Sequence, residues 1–453
     1  MAPLSEEFER EILTAEALHF IEKEKVSERE AINKVMAIHN LNDWKIRGSV
    51  HAILFETVRH KNLIDYIISS VMQNGTVHDI KDEFLRDVLR VGVYLIKIMK
   101  NSASLVCNTL VEWAKKKVSL KASKFVNAIL RGAERFNLEE EISKLDKESY
   151  LSLKYSHPTW YIRLLKPFFD EDFIISLMEK NNAHLPTSVR VNTLVTSVDD
   201  VIQELENKNF KYITYPEIPD MIDIIEGVIP IVHTDAYKNS GIYIQSKSSI
   251  LISHILNPSP GDLIYDVTAA PGSKTTHIAQ LMKNRGRILA FDKSPRRIKE
   301  IKIKLPLFKI KIIDLIIFDS RNIDNSLKYK ADKVLLDPPC SDTGTYSNKP
   351  AMKWKGIDKQ LKSLTSIQWE LLTKSIELVK PGGILVYSTC SVTVEENEMQ
   401  IKRLLEEYPN VELISHSPFI GMKGLLGFDK TQRLFPHLHN AEGFFVAKMR
   451  IKN

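Results

Sequence analysis

Residues 263–281 read Leu-Ile-Tyr-Asp-Val-Thr-Ala-Ala-Pro-Gly-Ser-Lys-Thr-Thr-His-Ile-Ala-Gln-Leu: an apolar segment, a turn of small residues and a helical pattern. This order predicts a β-strand that turns directly into an α-helix. Open α/β sheets bind ligands at the carboxyl ends of their strands. Small side chains such as Ala269, Ala270, Gly272 and Ser273 let a ligand reach the backbone, and the helix amino terminus favours a carboxylate. The stretch therefore predicts a ligand-binding turn.

Short apolar segments continue to alternate with helical stretches beyond this turn. The predicted strands span residues 263–267, 288–291, 310–318, 334–336 and 384–387. Such alternation indicates βαβ units around a mostly parallel sheet. Residues 246–453 are therefore predicted to form a Rossmann-like α/β domain.

Proline and glycine set the first third of the chain apart. No proline occurs between Pro3 and Pro158, and only four of the 17 glycines precede Pro158. Because both residues disfavour helix interiors, residues 1–145 are predicted to form an all-helical domain.

The region between these two parts has a mixed pattern. Residues 160–182 and 198–207 are predicted to be helical, whereas residues 188–192 read as an extended segment. Residues 157–245 are therefore predicted to form a small α+β module.

The composition excludes several classes of protein. A chain of 453 residues allows about three domains, and no apolar run approaches the ~18 residues that cross a bilayer. Only three cysteines occur, and the first residues show no cationic and apolar leader, so secretion and structural disulfides are not expected. We expect a cytoplasmic, monomeric protein with no membrane partner.

The net charge of +6 is unevenly distributed along the chain. Ten lysines and arginines lie from Arg90 to Arg135, against only Glu112 and Glu134. Such a cationic zone suits a polyphosphate partner, because affinity then comes from counterion release at the contacted phosphates. A solvated, Lys-rich helix face is the alternative, and the charge pattern alone does not separate the two.

Acidic residues at the ends of the next two predicted strands indicate the kind of ligand. Asp292 suits the two ribose hydroxyls of an adenosine, and Asp319 suits an adenine amino group. The turn is not a phosphate-binding loop, because Gly272 alone precedes Lys274, and it lacks the three-glycine dinucleotide fingerprint. An adenosine with an amino-acid head and no pyrophosphate fits better, which describes S-adenosylmethionine. An ordinary βαβ turn followed by unrelated acidic residues is the alternative.

Two cysteines follow predicted strands and so lie on the same edge of the sheet as the turn. Cys340 follows Asp337-Pro-Pro, and Cys390 follows Ser388-Thr. A thiolate beside a methyl donor adds to C6 of a pyrimidine and makes C5 able to take a methyl group. Lys274 would lower the pKa of such a thiol, and Asp337 would hydrogen-bond the N3/N4 edge of a cytosine. On this reasoning either cysteine is a candidate nucleophile.

These residues resemble a known family over nearly the whole chain. Residues 157–450 resemble the Sun/RsmB-type (NOL1/NOP2/Sun) RNA (cytosine-5) methyltransferases, and residues 1–145 resemble the NusB-type RNA-binding domain. The motifs that carry the resemblance are Ser188-Val-Arg-Val-Asn192, Gly241-Ile-Tyr-Ile-Gln-Ser246, Ala269-Ala-Pro-Gly-Ser-Lys-Thr275, Asp337-Pro-Pro-Cys340, Ser388-Thr-Cys390, Gly443-Phe-Phe445 and, in the helical part, Lys121-Ala-Ser-Lys-Phe-Val-Asn-Ala-Ile-Leu130.

The resemblance implies roles for individual residues. Cys390 is then the nucleophile, Cys340 assists release of the methylated RNA, and Asp337 and Lys274 complete the catalytic set. The implied S-adenosylmethionine pocket consists of Thr268, Ala269, Ala270, Pro271, Gly272, Ser273, Lys274, Asp292, Asp319 and Asp337. The family usually has Cys at the position of Thr268 and Gly at that of Ser273, and both replacements are small.

The resemblance implies an RNA substrate, with rRNA expected and tRNA as the alternative, and no metal. An amino-methyltransferase is a second alternative, since Asp-Pro-Pro followed by an aromatic residue is the active-site loop of that class. Here Cys340 takes the place of the aromatic residue, and that class has no use for Cys390. A catalytically silent RNA-binding scaffold is a third alternative.

Overall fold

The computed structural model describes residues 10–323 and 330–452, which form two compact units. Of these residues, those up to Asn182 and the segment Tyr346–Gly356 form the first, here called the helical unit. The remainder form the second, here called the sheet unit. The amino-terminal residues from which we predicted the absence of a leader lie outside the described residues.

The helical unit consists of short and medium α-helices, and those up to residue 135 pack on one apolar core, so the prediction of an all-helical region is confirmed. Its helices are α1 (Arg10–Glu24), α2 (Glu28–Ile38), α3 (Trp44–Arg59), α4 (Lys61–Val71), α5 (Glu83–Val93), α6 (Ala103–Lys117), α7 (Leu120–Arg135), α8 (Leu138–Ile142), α9 (Lys147–Lys154), α10 (Thr159–Leu165) and α11 (Glu171–Asn181). A π-helical turn, Tyr94–Ile98, continues α5. Side chains of Ser27, Asp43, Asp82 and Ser119 cap four of the helices by accepting from backbone N–H groups.

The prediction of one continuous helix over residues 160–182 is wrong, because the structure has two helices there, α10 and α11. Pro167 follows α10 and lacks the N–H group that would continue the helical ladder. Asp170 then starts α11 by accepting from the N–H of Phe173 at 2.8 Å.

The segment Tyr346–Gly356 joins the helical unit although it follows Cys340 in the chain. Arg59 donates to the Ser347 carbonyl at 2.9 Å, and Lys353 donates to the Ser156 carbonyl at 3.0 Å. Burial lowers the pKa of Lys353 strongly. Hydrogen bonds from buried Arg59 and Lys353 to backbone carbonyls thus hold the segment in the helical unit. No local sequence pattern predicted this arrangement.

The sheet unit contains all the described β-strands. They are β1 (Thr187–Val191), β2 (Lys211–Thr214), β3 (Met221–Glu226), β4 (Ile242–Ile244), β5 (Leu263–Asp266), β6 (Arg287–Asp292), β7 (Ile313–Ile317), β8 (Ala331–Leu336), β9 (Val379–Thr389), β10 (Val411–Leu413), β11 (Met422–Lys423), β12 (Gln432–Leu434) and β13 (Phe444–Ile451). Its helices are α12 (Val198–Asn207), α13 (Asp235–Lys238), α14 (Lys247–Leu256), α15 (Ser273–Leu281), α16 (Pro295–Leu307), α17 (Leu361–Leu378), α18 (Glu398–Glu407) and α19 (Pro436–His439).

The strands form two sheets. A four-stranded antiparallel sheet has the order β2-β3-β1-β4, and a nine-stranded sheet has the order β11-β12-β13-β9-β8-β5-β6-β7, with β10 paired to β13. In the larger sheet β7, β6, β5, β8 and β9 are parallel, and β13 lies antiparallel to β9. The predicted fold class, a Rossmann-like sheet with a small α+β part, is therefore confirmed, but residues 157–182 of the predicted 157–245 module lie in the helical unit. The carboxyl ends of the parallel strands share one edge, where the predicted site residues follow.

None of the helices in the described ranges is both long and apolar enough to span a membrane.

Candidate active site

The predicted ligand turn connects β5 to α15 in a fixed conformation. The N–H of Ala269 donates to the Phe291 carbonyl at 2.8 Å, which ties the turn to β6. Gly272 precedes α15 with a φ of 91°, a left-handed value that favours glycine. A Cβ atom there would also lie 2.9 Å from Ile301 on α16. The turn therefore requires glycine at position 272, and it tolerates the departure to Ser273, which starts α15.

Asp266 at the end of β5 supports the turn from beneath. Its carboxyl accepts from the Thr275 hydroxyl at 2.6 Å and from the N–H of Thr268 at 3.4 Å. Burial is the main cause that raises the pKa of Asp266 to about 6. Asp266 thus holds the turn closed across its base rather than facing a ligand, a role that the sequence pattern did not reveal.

Asp292 and Asp319 lie where the sequence predicted: Asp292 is the last residue of β6, and Asp319 follows β7. Asp292 is buried, and its Oδ1 accepts from the N–H of Ser294 at 2.8 Å, while its Oδ2 lies 3.3 Å from Arg297. Asp319 is paired with Arg321 at 2.7 Å, and this hydrogen bond lowers the pKa of Asp319. An adenine amino group at Asp319 would therefore share the carboxylate with Arg321.

Lys274 and Asp337 form an ion pair between α15 and the loop after β8. Lys274 Nζ lies 2.6 Å from Asp337 Oδ2, and the Ser388 hydroxyl donates to Asp337 Oδ1 at 2.9 Å. Burial works against the Lys274 ammonium, but the charge and hydrogen bond of Asp337, together with Cys390 and Asp266, outweigh it and raise the pKa of Lys274. Thr268 also donates to the Asp337 carbonyl at 2.9 Å. The turn, the Asp-Pro-Pro-Cys loop and β9 thus converge on Asp337.

The two cysteines lie against each other. Cys340 Sγ and Cys390 Sγ are 2.9 Å apart, and the Cys390 thiol donates to Asp342 Oδ1 at 3.1 Å. The contact with Cys390 favours the Cys340 thiolate, but burial and the carboxylates of Asp342, Glu396 and Asp337 outweigh it and raise the pKa of Cys340. Cys340 is therefore held as a thiol beside Cys390.

Sequence reasoning assigned no role to two residues of this region. Arg190, in the motif on β1, donates to the Ser273 carbonyl at 2.8 Å and to Gln245 at 3.0 Å. It is fully buried, and burial lowers its pKa to about 10. Asp342 has a φ of 55°, and its carboxylate accepts from the Cys390 thiol. An arginine between two valines in a predicted extended segment and an Asp two residues after a cysteine were the available signals.

A second cluster of ligand-type side chains lies at Asp220. Its carboxylate accepts from His254 Nε2 at 2.7 Å and from His277 Nε2 and Gln280 Nε2, each at 2.8 Å. Burial is the main cause that lowers the pKa of His277 to about 4.

The cationic zone in the helical unit is smaller than the sequence suggested. Arg90 is buried and paired with Asp65 at 2.7 Å and Asp87 at 3.0 Å, so it is unavailable to phosphate. Lys97 donates to the Phe136 carbonyl at 2.8 Å. Seven members of the zone are exposed: Lys100, Lys115, Lys116, Lys117, Lys121, Lys124 and Arg135. These seven residues are here called the exposed basic set.

Comparison with known families follows the same division of the chain. Residues 253–450 match the family described as 16S rRNA methyltransferase RsmB/F, and residues 10–135 match the NusB family. Residues 157–229 match the ferredoxin-like domain of RsmF/B-like methyltransferases.

Individual relatives agree with these family matches. A protein of Synechocystis named "Probable ribosomal RNA small subunit methyltransferase B" is 29% identical over 97% of this chain and all of its own length. A Pyrococcus horikoshii protein named "tRNA (cytosine(72)-C(5))-methyltransferase" is 37% identical over 48% of this chain and 54% of its own length. The crystal structure of PH0851 superposes with a TM-score of 0.84 at 30% identity, covering 98% of this chain and 99% of that one.

The fold and site define a methyltransferase with an amino-terminal helical unit. The chain belongs to the RsmB/F family of methyltransferases, the NOL1/NOP2/Sun group that its motifs predicted.

Proposed function

We propose that this protein transfers the methyl group of S-adenosylmethionine to C5 of a cytosine in RNA, through a covalent bond between Cys390 and C6. The observation that carries the proposal is the 2.9 Å contact between Cys340 and Cys390, beside the Lys274–Asp337 pair. An amino-methyltransferase needs no thiol at either position. The site therefore supports carbon methylation.

The residues of the turn suit S-adenosylmethionine. Ala269, Ala270 and Gly272 leave the backbone open to a ligand, and the amino terminus of α15 suits its carboxylate. Asp292 offers two acceptor oxygens to a pair of ribose hydroxyls. When bound, the cofactor supplies an electrophilic methyl group. Asp319 is the weakest member of the proposed pocket, because Arg321 shares its carboxylate.

The first chemical step is the attack of Cys390 on C6. The Cys390 proton leaves toward Asp342, whose Oδ1 lies 3.1 Å from Sγ. Asp337 hydrogen-bonds the N3/N4 edge of the base. The Lys274 ammonium, whose Nζ lies 2.6 Å from Asp337 Oδ2, is the proton source for N3. As the S–C6 bond forms, the electron pair of the C5–C6 double bond shifts, and C5 becomes able to take the methyl group.

The second step releases the methylated RNA. Cys340 is held as a thiol, so we assign it the transfer of its proton to the departing sulfur of Cys390 and the removal of the proton from C5. The S–C6 bond breaks, the C5–C6 double bond returns, and both cysteines end as thiols. N3 returns its proton to Lys274, and Asp342 releases to solvent the proton it took from Cys390. This division of labour follows the family resemblance.

Small-subunit rRNA is the proposed substrate. The relatives named for it match this chain along nearly its whole length, including the helical unit, whereas the tRNA-specific relative matches about half of it. The exposed basic set offers phosphate contacts in the helical unit. We propose that residues 1–145 and 157–245 bind RNA, that residues 246–453 carry the chemistry, and that the protein works in the cytoplasm as a monomer.

A denaturing gel of cysteine variants tests the chemistry. Cys390→Ala should abolish methyl transfer and form no covalent complex. Cys340→Ala should retain attack but lose release, so a retarded RNA–protein band is expected for that variant alone. Cys107→Ala, in the helical unit, is the matched control and should behave as wild type.

Three results would contradict the assignment. A retarded band with Cys390→Ala instead would exchange the roles of the cysteines. Full activity of both variants without a band would exclude covalent catalysis and favour the amino-methyltransferase. Bound S-adenosylmethionine without methyl transfer to any RNA would favour the silent scaffold.

Bisulfite sequencing of cells that lack the gene tests the substrate. Loss of 5-methylcytosine from small-subunit rRNA is expected, and loss from tRNA alone would support the tRNA alternative.

A further inference from the structure

Glu396 is fully buried in the sheet unit, in the loop between β9 and α18. Its Oε1 accepts from the N–H of Ser341 and the side-chain amide of Gln368, both at 2.8 Å. Its Oε2 accepts from the hydroxyls of Ser341 and Ser391 at 2.5 Å and of Thr393 at 2.9 Å. Five donors therefore surround one carboxylate.

Two of these partners adjoin the two cysteines. Ser341 directly follows Cys340, and Ser391 directly follows Cys390. The two serine hydroxyls also lie 3.0 Å from each other. Glu396 is thus bonded to both cysteine loops at the residue next to each thiol.

Gln368 on α17 extends this network to the other side of Cys340. Its Nε2 donates to Glu396 Oε1 and also to the Pro339 carbonyl at 2.9 Å. A buried carboxylate costs free energy unless it is fully hydrogen-bonded, and apolar residues stabilise a core more simply. The hydrogen bonds of Glu396 to Ser341, Ser391 and Gln368 supply this satisfaction and at the same time tie the two cysteine loops together.

We propose that Glu396 is a positioning residue that sets the separation of Cys340 and Cys390 by holding the two loops together. The role in catalysis rests on the proposed function, whereas the effect on the separation of the thiols does not.

Glu396→Gln is the informative substitution. The amide replaces one acceptor oxygen with an NH₂ donor of nearly the same shape, which must then face donors. Glu395→Gln makes the same chemical change one residue earlier and is the matched control, since Glu395 has no hydrogen bond to either cysteine loop among those the structure shows.

Disulfide formation with diamide measures the separation of the thiols without RNA. The two thiols lose two hydrogens to the N=N bond of diamide and form one S–S bond. In the wild-type protein we expect rapid formation of the Cys340–Cys390 bond, detected by mass spectrometry of the joined peptides. In Glu396→Gln we expect bond formation to slow on the order of tenfold, because a misplacement of about 1 Å is costly to a bond-forming step.

The electrostatic effect of the same substitution has the opposite sign. The contact with Cys390 lowers the pKa of Cys340, but burial and the neighbouring carboxylates together raise it. Glu396 supplies one of those carboxylate charges. Removing that charge favours the thiolate, which would speed oxidation. Slower bond formation in Glu396→Gln therefore reports lost positioning and not altered ionisation.

Kinetics supply the second measurement. With saturating RNA and S-adenosylmethionine, kcat of Glu396→Gln should fall roughly 10- to 100-fold while KM for the cofactor stays within about twofold, because Glu396 does not touch the ligand turn. If Glu396→Gln does not fold, Ser341→Ala takes its place. This variant should slow disulfide formation by less than the roughly tenfold expected for Glu396→Gln, because it removes only the serine hydroxyl from the network.

Unchanged disulfide formation in the folded variant, or equal slowing in Glu395→Gln, would overturn the proposal. Slower disulfide formation in a protein whose wild type proves to have no methyltransferase activity would leave Glu396 as a positioning residue and reject the proposed function instead.

Discussion

The thiol of Cys390 donates to Oδ1 of Asp342 over 3.1 Å, so a carboxylate lies directly against the proposed nucleophile. The same carboxylate acts on Cys340. The contact with Cys390 favours the Cys340 thiolate, yet burial and neighbouring carboxylates, Asp342 first among them, raise the pKa of Cys340. Asp342 therefore affects both thiols at once.

Asp342→Asn tests this effect. Asn tolerates the φ of 55° at this position, so the substitution removes the charge without straining the loop. The pH at which Cys340 is half-labelled by iodoacetamide should fall, because a charge that raises the pKa of this thiol is gone. Peptide mass spectrometry separates Cys340 from Cys390, and Cys107 should stay unlabelled as a sign of an intact fold. An unchanged or higher labelling pH would show that Asp342 does not act on Cys340.

Asp292→Ala tests the cofactor assignment. The substitution removes charge-assisted hydrogen bonds of roughly 1.5–3 kcal/mol, so S-adenosylmethionine affinity should fall on the order of tenfold to a hundredfold. Isothermal titration calorimetry measures the change. Asp314→Ala, the same change at an exposed aspartate of β7, is the control and should bind as wild type. Unchanged binding by Asp292→Ala would remove Asp292 from the pocket.

Local patterns predicted much of this fold. Apolar segments flanked by turn residues predicted β5, β6 and β8, and the small residues near Gly272 predicted the turn. The rule that sheet sites lie at strand carboxyl ends placed Cys340 and Cys390 at one edge. These features depend on neighbouring residues alone, which is why they are readable from one sequence.

Features that depend on distant residues were missed. The burial of Arg90 depends on Asp65, 25 residues earlier in the chain, although Asp87 at i−3 was a local signal. The 2.9 Å contact between the two Sγ atoms requires β8 and β9 to be neighbours in the sheet. The sequence of neither strand determines which strand lies beside it. The family resemblance, and not spacing, distinguished Cys390 from Cys340.

Salt dependence tests the exposed basic set. One variant replaces three of its lysines with alanine: Lys117, Lys121 and Lys124. If all three contact phosphate, the slope of log affinity against log salt should fall by roughly two to three units. The matched control replaces three exposed lysines of the sheet unit: Lys362, Lys402 and Lys423. An equal change of slope in both variants, or none in the first, would place the RNA elsewhere.

Asp266→Asn tests how the ligand turn is supported. Burial is the main cause that raises the pKa of Asp266 to about 6, above the ordinary value of 3.8. The native state therefore binds more protons than the unfolded state between these values, and wild type loses stability as pH rises through this window, by roughly 1.4 kcal/mol per unit. Asn stays neutral, keeps an acceptor for the N–H of Thr268 and can donate to Thr275, so it avoids that loss. Urea unfolding of the cofactor-free protein, followed by circular dichroism from pH 4 to 7.5, should show the variant gaining on wild type up to about pH 6 and holding a constant advantage above it. The exposed Asp314→Asn is the control. Parallel curves for Asp266→Asn and wild type would mean that Asp266 is not buried as an acid, and the turn would then need another support.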